Sequence, residues 1–261
     1  MRIRCKHIVS LLLLFSAGNI LHAQSLPPNP GSDPDNGTVV FNLKLFIEGY
    51  YNSGTGLMAP ALFNNSLSAS STAVDTVTVE LHAATGGLST LFTTKGVLQT
   101  NGSIANVTVT SGITEGQSYY IVLKATNAVA VWSAAPVVIA NNVTYDFSNA
   151  ASKAYGNNMK QAGSVFMLYS GDINGDGYTD GLDYIDLDGD NSAFAFGILK
   201  TDLNGDGYVD GLDYTSLDLN SAGFTGVLYP AAYGGLKIKG NRPRVLPAGI
   251  ALQSILHKTR K

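Results

Sequence analysis

The sequence predicts two folding units of different class, an all-β domain over residues 38–170 and a small α module over 171–230. Runs of alternating apolar and polar residues recur through the first part, the period of strands with one buried face. In the second, GDINGDGYTDGLDY (Gly171–Tyr184) is spelled again thirty residues on as TDLNGDGYVDGLDY (Thr201–Tyr214). Charge divides at the same place: residues 171–230 hold twelve Asp and one Lys, whereas 24–170 hold seven acids and five bases.

The chain opens with basic MRIRCKH, apolar IVSLLLLFSAGNILHA, and small Ala23 before Gln24. That order predicts a secretory signal over 1–23 and a secreted, extracellular or cell-surface product. Ser16, Gly18 and Asn19 interrupt the apolar run, which is short for a bilayer span of roughly 20 residues, so no membrane span is expected in the mature chain. Cys5, the only cysteine, lies in this leader, so disulfide and thiolate chemistry are excluded after cleavage. Gln24–Gly37 (QSLPPNPGSDPDNG) is rich in Pro, Gly, Asn and Asp and reads as a linker.

Beyond the linker, Phe41, Leu43, Leu45 and Ile47 alternate with polar or outward positions, and Val77, Val79 and Leu81 do so in TVTVELH. Similar runs follow in NVTVT (Asn106–Thr110), SYYIVLKA (Ser118–Ala125), PVVIA (Pro136–Ala140), VTYDF (Val143–Phe147) and SVFMLYS (Ser164–Ser170). About seven to nine short strands separated by Gly, Asn and Ser clusters predict a β-sandwich of immunoglobulin-like type. Asn52–Thr72, rich in Ser and Asn, is expected to be a surface loop. The apolar core, closed by no acidic loop, is expected to hold without metal.

The repeated stretch has a chemistry of its own. With Asp172 as position 1, Asn174 is position 3, Asp176 position 5, Gly177 position 6, Tyr178 position 7, Asp180 position 9 and Asp183 position 12. The second copy places Asp202, Asn204, Asp206, Gly207, Tyr208, Asp210 and Asp213 at the same offsets. A hard cation takes six to eight oxygens, and this pattern supplies side chains at positions 1, 3, 5, 9 and 12 and a main-chain carbonyl at position 7. Two calcium ions are therefore expected, with the Tyr178 and Tyr208 rings left to pack elsewhere. Aligning 171–200 with 201–230 needs no gap and leaves fourteen identities, among them every proposed side-chain ligand. A helix is expected after each loop, from near Gly181 and Gly211. Leu182, Ile185 and Phe194 are expected to face inward in the first copy, and Leu212, Leu217 and Phe224 in the second. Asp186–Asn191 (DLDGDN) mimics the start of a third loop but lacks its later positions and reads as a solvated helix end.

These two stretches resemble the duplicated calcium-binding F-hand segments, an EF-hand-like repeat, of type I dockerin domains, over residues 171–230. The resemblance implies calcium ligation at the positions just named, and a cohesin-like or other extracellular protein as docking partner. At positions 10 and 11, where dockerins commonly carry a Ser/Thr pair, this chain has Gly181–Leu182 and Gly211–Leu212. The preceding region with SYYIVLKATNAVAVWSAAP is similar to the β-domain before dockerin-like tails in some secreted bacterial proteins.

The acidic module excludes a nucleic-acid surface, which needs clustered Lys and Arg. Only His82, His257 and three glutamates, Glu48, Glu80 and Glu115, remain for catalysis in the mature chain, with no spacing that makes a site, so no enzymatic activity is expected. Tyr50–Tyr51, Tyr119–Tyr120 and Trp132 could form a sugar-stacking platform, but strand doublets point to opposite faces, so core and edge packing is the expected role. Residues 231–261 carry seven bases and read as a flexible basic tail touching the acidic module. The expected function is a secreted, non-catalytic calcium-binding protein whose module docks onto another protein at the cell surface or in an extracellular complex. The alternative is a carbohydrate-binding accessory protein in polysaccharide degradation.

Overall fold

Alternation along the first strand does what a period of two requires: in β1 (Val39–Lys44), Val39, Phe41 and Leu43 are buried while Val40 and Asn42 face outward. The computed structural model describes residues 38–231; the leader 1–23, the linker 24–37 and the tail from residue 232 lie outside the described residues.

After β1 come β2 (Tyr51–Asn52), β3 (Leu57–Met58) and a single helical turn, α1 (Ala61–Asn64). The long strands β4 (Ala73–Ala83) and β5 (Thr90–Gln99) pair with each other, and β5 with β6 (Ser103–Val109). Next are β7 (Ser118–Lys124), β8 (Val131–Trp132), β9 (Val137–Val138) and β10 (Asn142–Asp146), then the hairpin of β11 (Lys160–Ala162) and β12 (Val165–Met167). The module adds α2 (Asp183–Ser192) and α3 (Tyr214–Ala222). The described chain is thus mostly β with few helices, as an all-β sandwich followed by a short α segment would be.

Strand pairing departs from two separate sheets of immunoglobulin-like type. Eight strands form one continuous sheet in the order β10-β1-β6-β5-β4-β7-β8, with β9 also on β7. The reason is β5, which pairs with β4 on one side and β6 on the other, so hydrogen bonding never breaks. The sheet must then roll over. Val138 pairs beside β7 and Asn142 beside β1, yet four residues of extended chain reach at most about 14 Å. The rolled inner face collects Phe41, Leu43, Val77, Val79, Leu81, Ile121 and Leu123 into one core.

The module has its own small core of Ile173, Leu187, Leu203, Val209 and Leu217. Here the expected inward residues are corrected. Leu182, Ile185, Phe194, Leu212 and Phe224 are all exposed, and Leu217 alone of the expected set is buried, matched by Leu187 in the first copy. The helices begin at Asp183 and Tyr214 rather than at the glycines, and Leu187 and Leu217 lie five residues beyond Leu182 and Leu212, on another face. Phe194 and Phe224 follow the helix ends with positive φ, which turns them away from the module core. The Asp186–Asn191 stretch lies within α2.

Residues 38–231 belong to one compact unit, and the seam between sheet and module explains why. Gly171 N–H donates to the Asn127 carbonyl at 2.8 Å, and Asn127 Nδ2 donates to Tyr50 Oη (3.2 Å) and to the Asp202 carbonyl (3.3 Å). Val227 and Tyr229, after α3, pack on Val122 and Trp132 of the sheet and on Leu88 in the connection between β4 and β5. The Asn52–Thr72 excursion contributes too: Ala61 and Asn65 abut Gly205 and Gly207 of the second loop. Part of the surface of the β domain, whose core is expected to hold without metal, is thus covered by the loops. Among the described residues no helix is long and apolar enough to cross a membrane.

Candidate metal centre

Both acidic stretches fold into the same loop and share most of its individual hydrogen bonds. The position-1 carboxylate accepts the position-6 N–H, Gly177 to Asp172 at 3.1 Å and Gly207 to Asp202 at 3.0 Å. Gly177 and Gly207 have φ of +88° and +91°, a conformation that only glycine takes without strain. Asn174 and Asn204 accept from Asp176 and Asp206 N–H, both at 2.8 Å. Asp176 and Asp206 accept from the N–H of Tyr178 and Tyr208, and Asp180 and Asp210 from Leu182 and Leu212.

The position-12 carboxylates do most to close the loop. Asp183 accepts three backbone N–H groups, from Ile173 (2.8 Å), Asn174 (3.0 Å) and Asp180 (2.8 Å). Asp213 repeats this with Leu203, Asn204 and Asp210. Positions 1 and 12 are buried in both loops, whereas Asp176, Asp206 and Asp210 are exposed.

Between the loops run two short crossed bridges. Tyr178 pairs with Gly226, after α3, and Tyr208 with Phe196, after α2. Each loop is thereby tied to the segment that follows the other copy's helix. Tyr184 Oη donates to Asp218 (2.6 Å) and Tyr214 Oη to Asp188 (2.7 Å), a reciprocal exchange between the helices. Two-fold pseudo-symmetry of this kind needs both copies.

Burial makes the charges costly. It pushes the Asp172 carboxyl up to about 7, helped by the nearby Asp183 and Asp176 carboxylates. Asp202 is pushed up to about 6, again chiefly by burial, with Asp213 and Asp206 adding repulsion. Asp183 and Asp213 are raised by burial, against which their backbone N–H donors work. Asp172 Oδ1 is buried with no hydrogen-bond partner, while the equivalent Asp202 Oδ1 accepts Gly205 N–H at 2.8 Å. Among the described residues no three His, Cys, Asp or Glu side chains gather into a ready metal site. The loops instead bring carboxylates together with Asn oxygens and backbone, a donor set of hard oxygens suited to calcium rather than to a softer ion.

No family model and no curated relative match the chain. A solved structure does: a chain in a crystal structure of a type II cohesin–X–dockerin complex, an N-terminal interface mutant, from Acetivibrio cellulolyticus. The match is 15% identical, has a TM-score of 0.38, and covers 72% of this chain and 97% of that one. Likeness at that level carries no conclusion about fold or function.

The twelve residues singled out in the sequence all lie in the two loops, but the loops sit in different surroundings. A Cβ on Gly205 would meet the Tyr50 ring at 2.8 Å, whereas one on Gly175 would meet nothing within 4 Å. Tyr50 packs as core rather than in a sugar-stacking platform. It is buried beneath the second loop, its hydroxyl pKa raised by that burial and by Asp75, Asp202 and Asp213. Tyr119 and Trp132 are buried as well. The contribution of Gly49, Tyr50 and Asn127 to seating the second loop carries no sequence signal beyond Gly49 itself.

Proposed function

We propose that this is an exported, non-catalytic protein whose duplicated module binds two calcium ions, one per loop, and docks onto another extracellular protein. Asp172, Asn174, Asp176, Asp180 and Asp183, with the Tyr178 carbonyl, would hold the first ion. Asp202, Asn204, Asp206, Asp210 and Asp213, with the Tyr208 carbonyl, would hold the second. The observation that carries the reading is the twice-built loop with a buried position-1 carboxylate, Asp172 pushed up to about 7 and Asp202 to about 6, since a divalent cation would turn that cost into ligation. Docking is supported by apolar side chains that the module leaves exposed on or beside its helices, Leu182, Ile185, Leu212 and Leu219. Tyr50, Tyr119 and Trp132 are buried, which leaves only the half-buried Tyr51 and Tyr120 of that aromatic set for a sugar to meet.

A pull-down from extracellular extract with the full chain, in calcium and in chelator, tests the docking role. Specific capture is expected in calcium only, and a chain with Ile185→Lys and Leu219→Lys should lose it. Equal capture in chelator, or by the doubly substituted chain, would contradict the assignment.

A further inference from the structure

Glu48, Lys160 and Asn220 come from distant parts of the chain and meet at the seam between sheet and module. Glu48 lies beyond β1, Lys160 opens β11, and Asn220 is in α3. Lys160 Nζ stands 2.9 Å from Glu48 Oε1 and 3.4 Å from Asn220 Oδ1. Asn220 Nδ2 donates to Glu48 Oε2 at 2.6 Å and to the Ser170 carbonyl at 2.8 Å, which fixes the amide with its oxygen toward the lysine. Asn220 is 2% exposed and the Glu48 side chain 12%, and the Tyr169 ring lies 5.9 Å from the Lys160 nitrogen.

An amine, a carboxamide and a carboxylate bonded to both are the groups needed to exchange one amide for another. We infer that Lys160 and Asn220 join in a self-formed isopeptide bond between the β domain and the module, with Glu48 as the proton carrier. Glu48 takes a proton from the Lys160 ammonium across their 2.9 Å contact. The freed Nζ lone pair attacks Asn220 Cγ, and the carbonyl π pair moves onto Oδ1. Glu48 then gives its proton to Nδ2 and takes the surplus proton from Nζ. As the Oδ1 pair re-forms the carbonyl, the Cγ–Nδ2 bond breaks and ammonia leaves, picking up the proton from Glu48. An amine and a primary amide have become a secondary amide and ammonium, with no redox partner required. Holding the groups in contact supplies the high effective concentration such an exchange needs. The product closes a ring through residues 160–220, which include both acidic loops, and so restricts the unfolded chain.

The test is intact-mass and peptide mapping of the purified full chain. A product lighter by one ammonia is expected, with the Lys160 peptide joined to the Asn220 peptide. Glu48→Gln keeps the side-chain shape but cannot carry the proton, and Lys160→Arg removes the nucleophile; both should show full mass and no joined peptide. A succinimide at an Asn–Gly pair would also lose ammonia but would join nothing. A cooperatively folded wild-type chain without the joined peptide, or a Glu48→Gln chain that cross-links as fully as wild type, would overturn the inference.

Discussion

Gly49 lies so close to Leu203 that a Cβ on Gly49 would stand 2.0 Å from the Leu203 carbonyl oxygen. The contact joins the turn after the first strand to position 2 of the second acidic loop. Because the obstructing atom is backbone, neither partner can rotate out of the way. Gly49→Ala should therefore cost about 1–3 kcal/mol, read as a lower urea midpoint at unchanged m-value. A midpoint equal to wild type would mean that the two parts are not seated on each other in solution.

Gly175 and Gly205 form a second, internally controlled comparison. Their φ angles are +74° and +75°, so alanine meets the same backbone strain at either position. Only Gly205 faces the Tyr50 ring and Ala61. Gly205→Ala should be more destabilising than Gly175→Ala by about 1 kcal/mol or more in thermal or urea unfolding.

Positions 1 and 12 should separate charge from scaffolding. Asp183→Ala strips the acceptor from three backbone N–H groups, and stability should fall by about 2 kcal/mol or more with or without calcium. Asp172→Asn removes a buried charge of nearly the same shape. It should stabilise the chelated chain yet weaken its response to calcium. The pH dependence in chelator has a definite sign. The folded Asp172 carboxyl, pushed up to about 7 from 3.8, holds its proton over a range where the unfolded one has lost it. Stability should therefore fall as pH rises across that interval, and Asp172→Asn should flatten the slope.

Much of this was legible in the chain, and the exceptions have physical causes. Period-two runs located β1, β4, β6 and β7, because a half-buried strand has to alternate. Identical spacing located both loops, because the hydrogen bonds that close them depend on residue type at fixed offsets. Ile185 and Phe194 were misplaced because the helix starts later than its glycines suggest, although the repeat pairs Leu187 with Leu217 and could have shown the buried position. Continuous pairing through β5 was not legible, since alternation gives a strand's face and not its neighbour. Nor was the meeting of Glu48 with Asn220, 172 positions apart, which only the folded seam brings about.

The same seam couples the loops to the sheet thermodynamically. Asn127 reaches the Asp202 carbonyl, and Tyr50 lies against Gly205, so a ligand that steadies the second loop should steady both parts. Scanning calorimetry should show one transition that moves upward with calcium. Two transitions, only one of them calcium-sensitive, would show that the contacts are too weak to join the parts.

Isothermal titration of the metal-stripped full chain with calcium is the most direct measurement of the central assignment. Two ions per chain are expected, falling to one when Asp172 and Asp183 are replaced by Ala or when Asp202 and Asp213 are, with a weaker response to magnesium, which tolerates such an oxygen-rich cage poorly. A folded chain that takes up no calcium would contradict the reading of these two loops as metal sites.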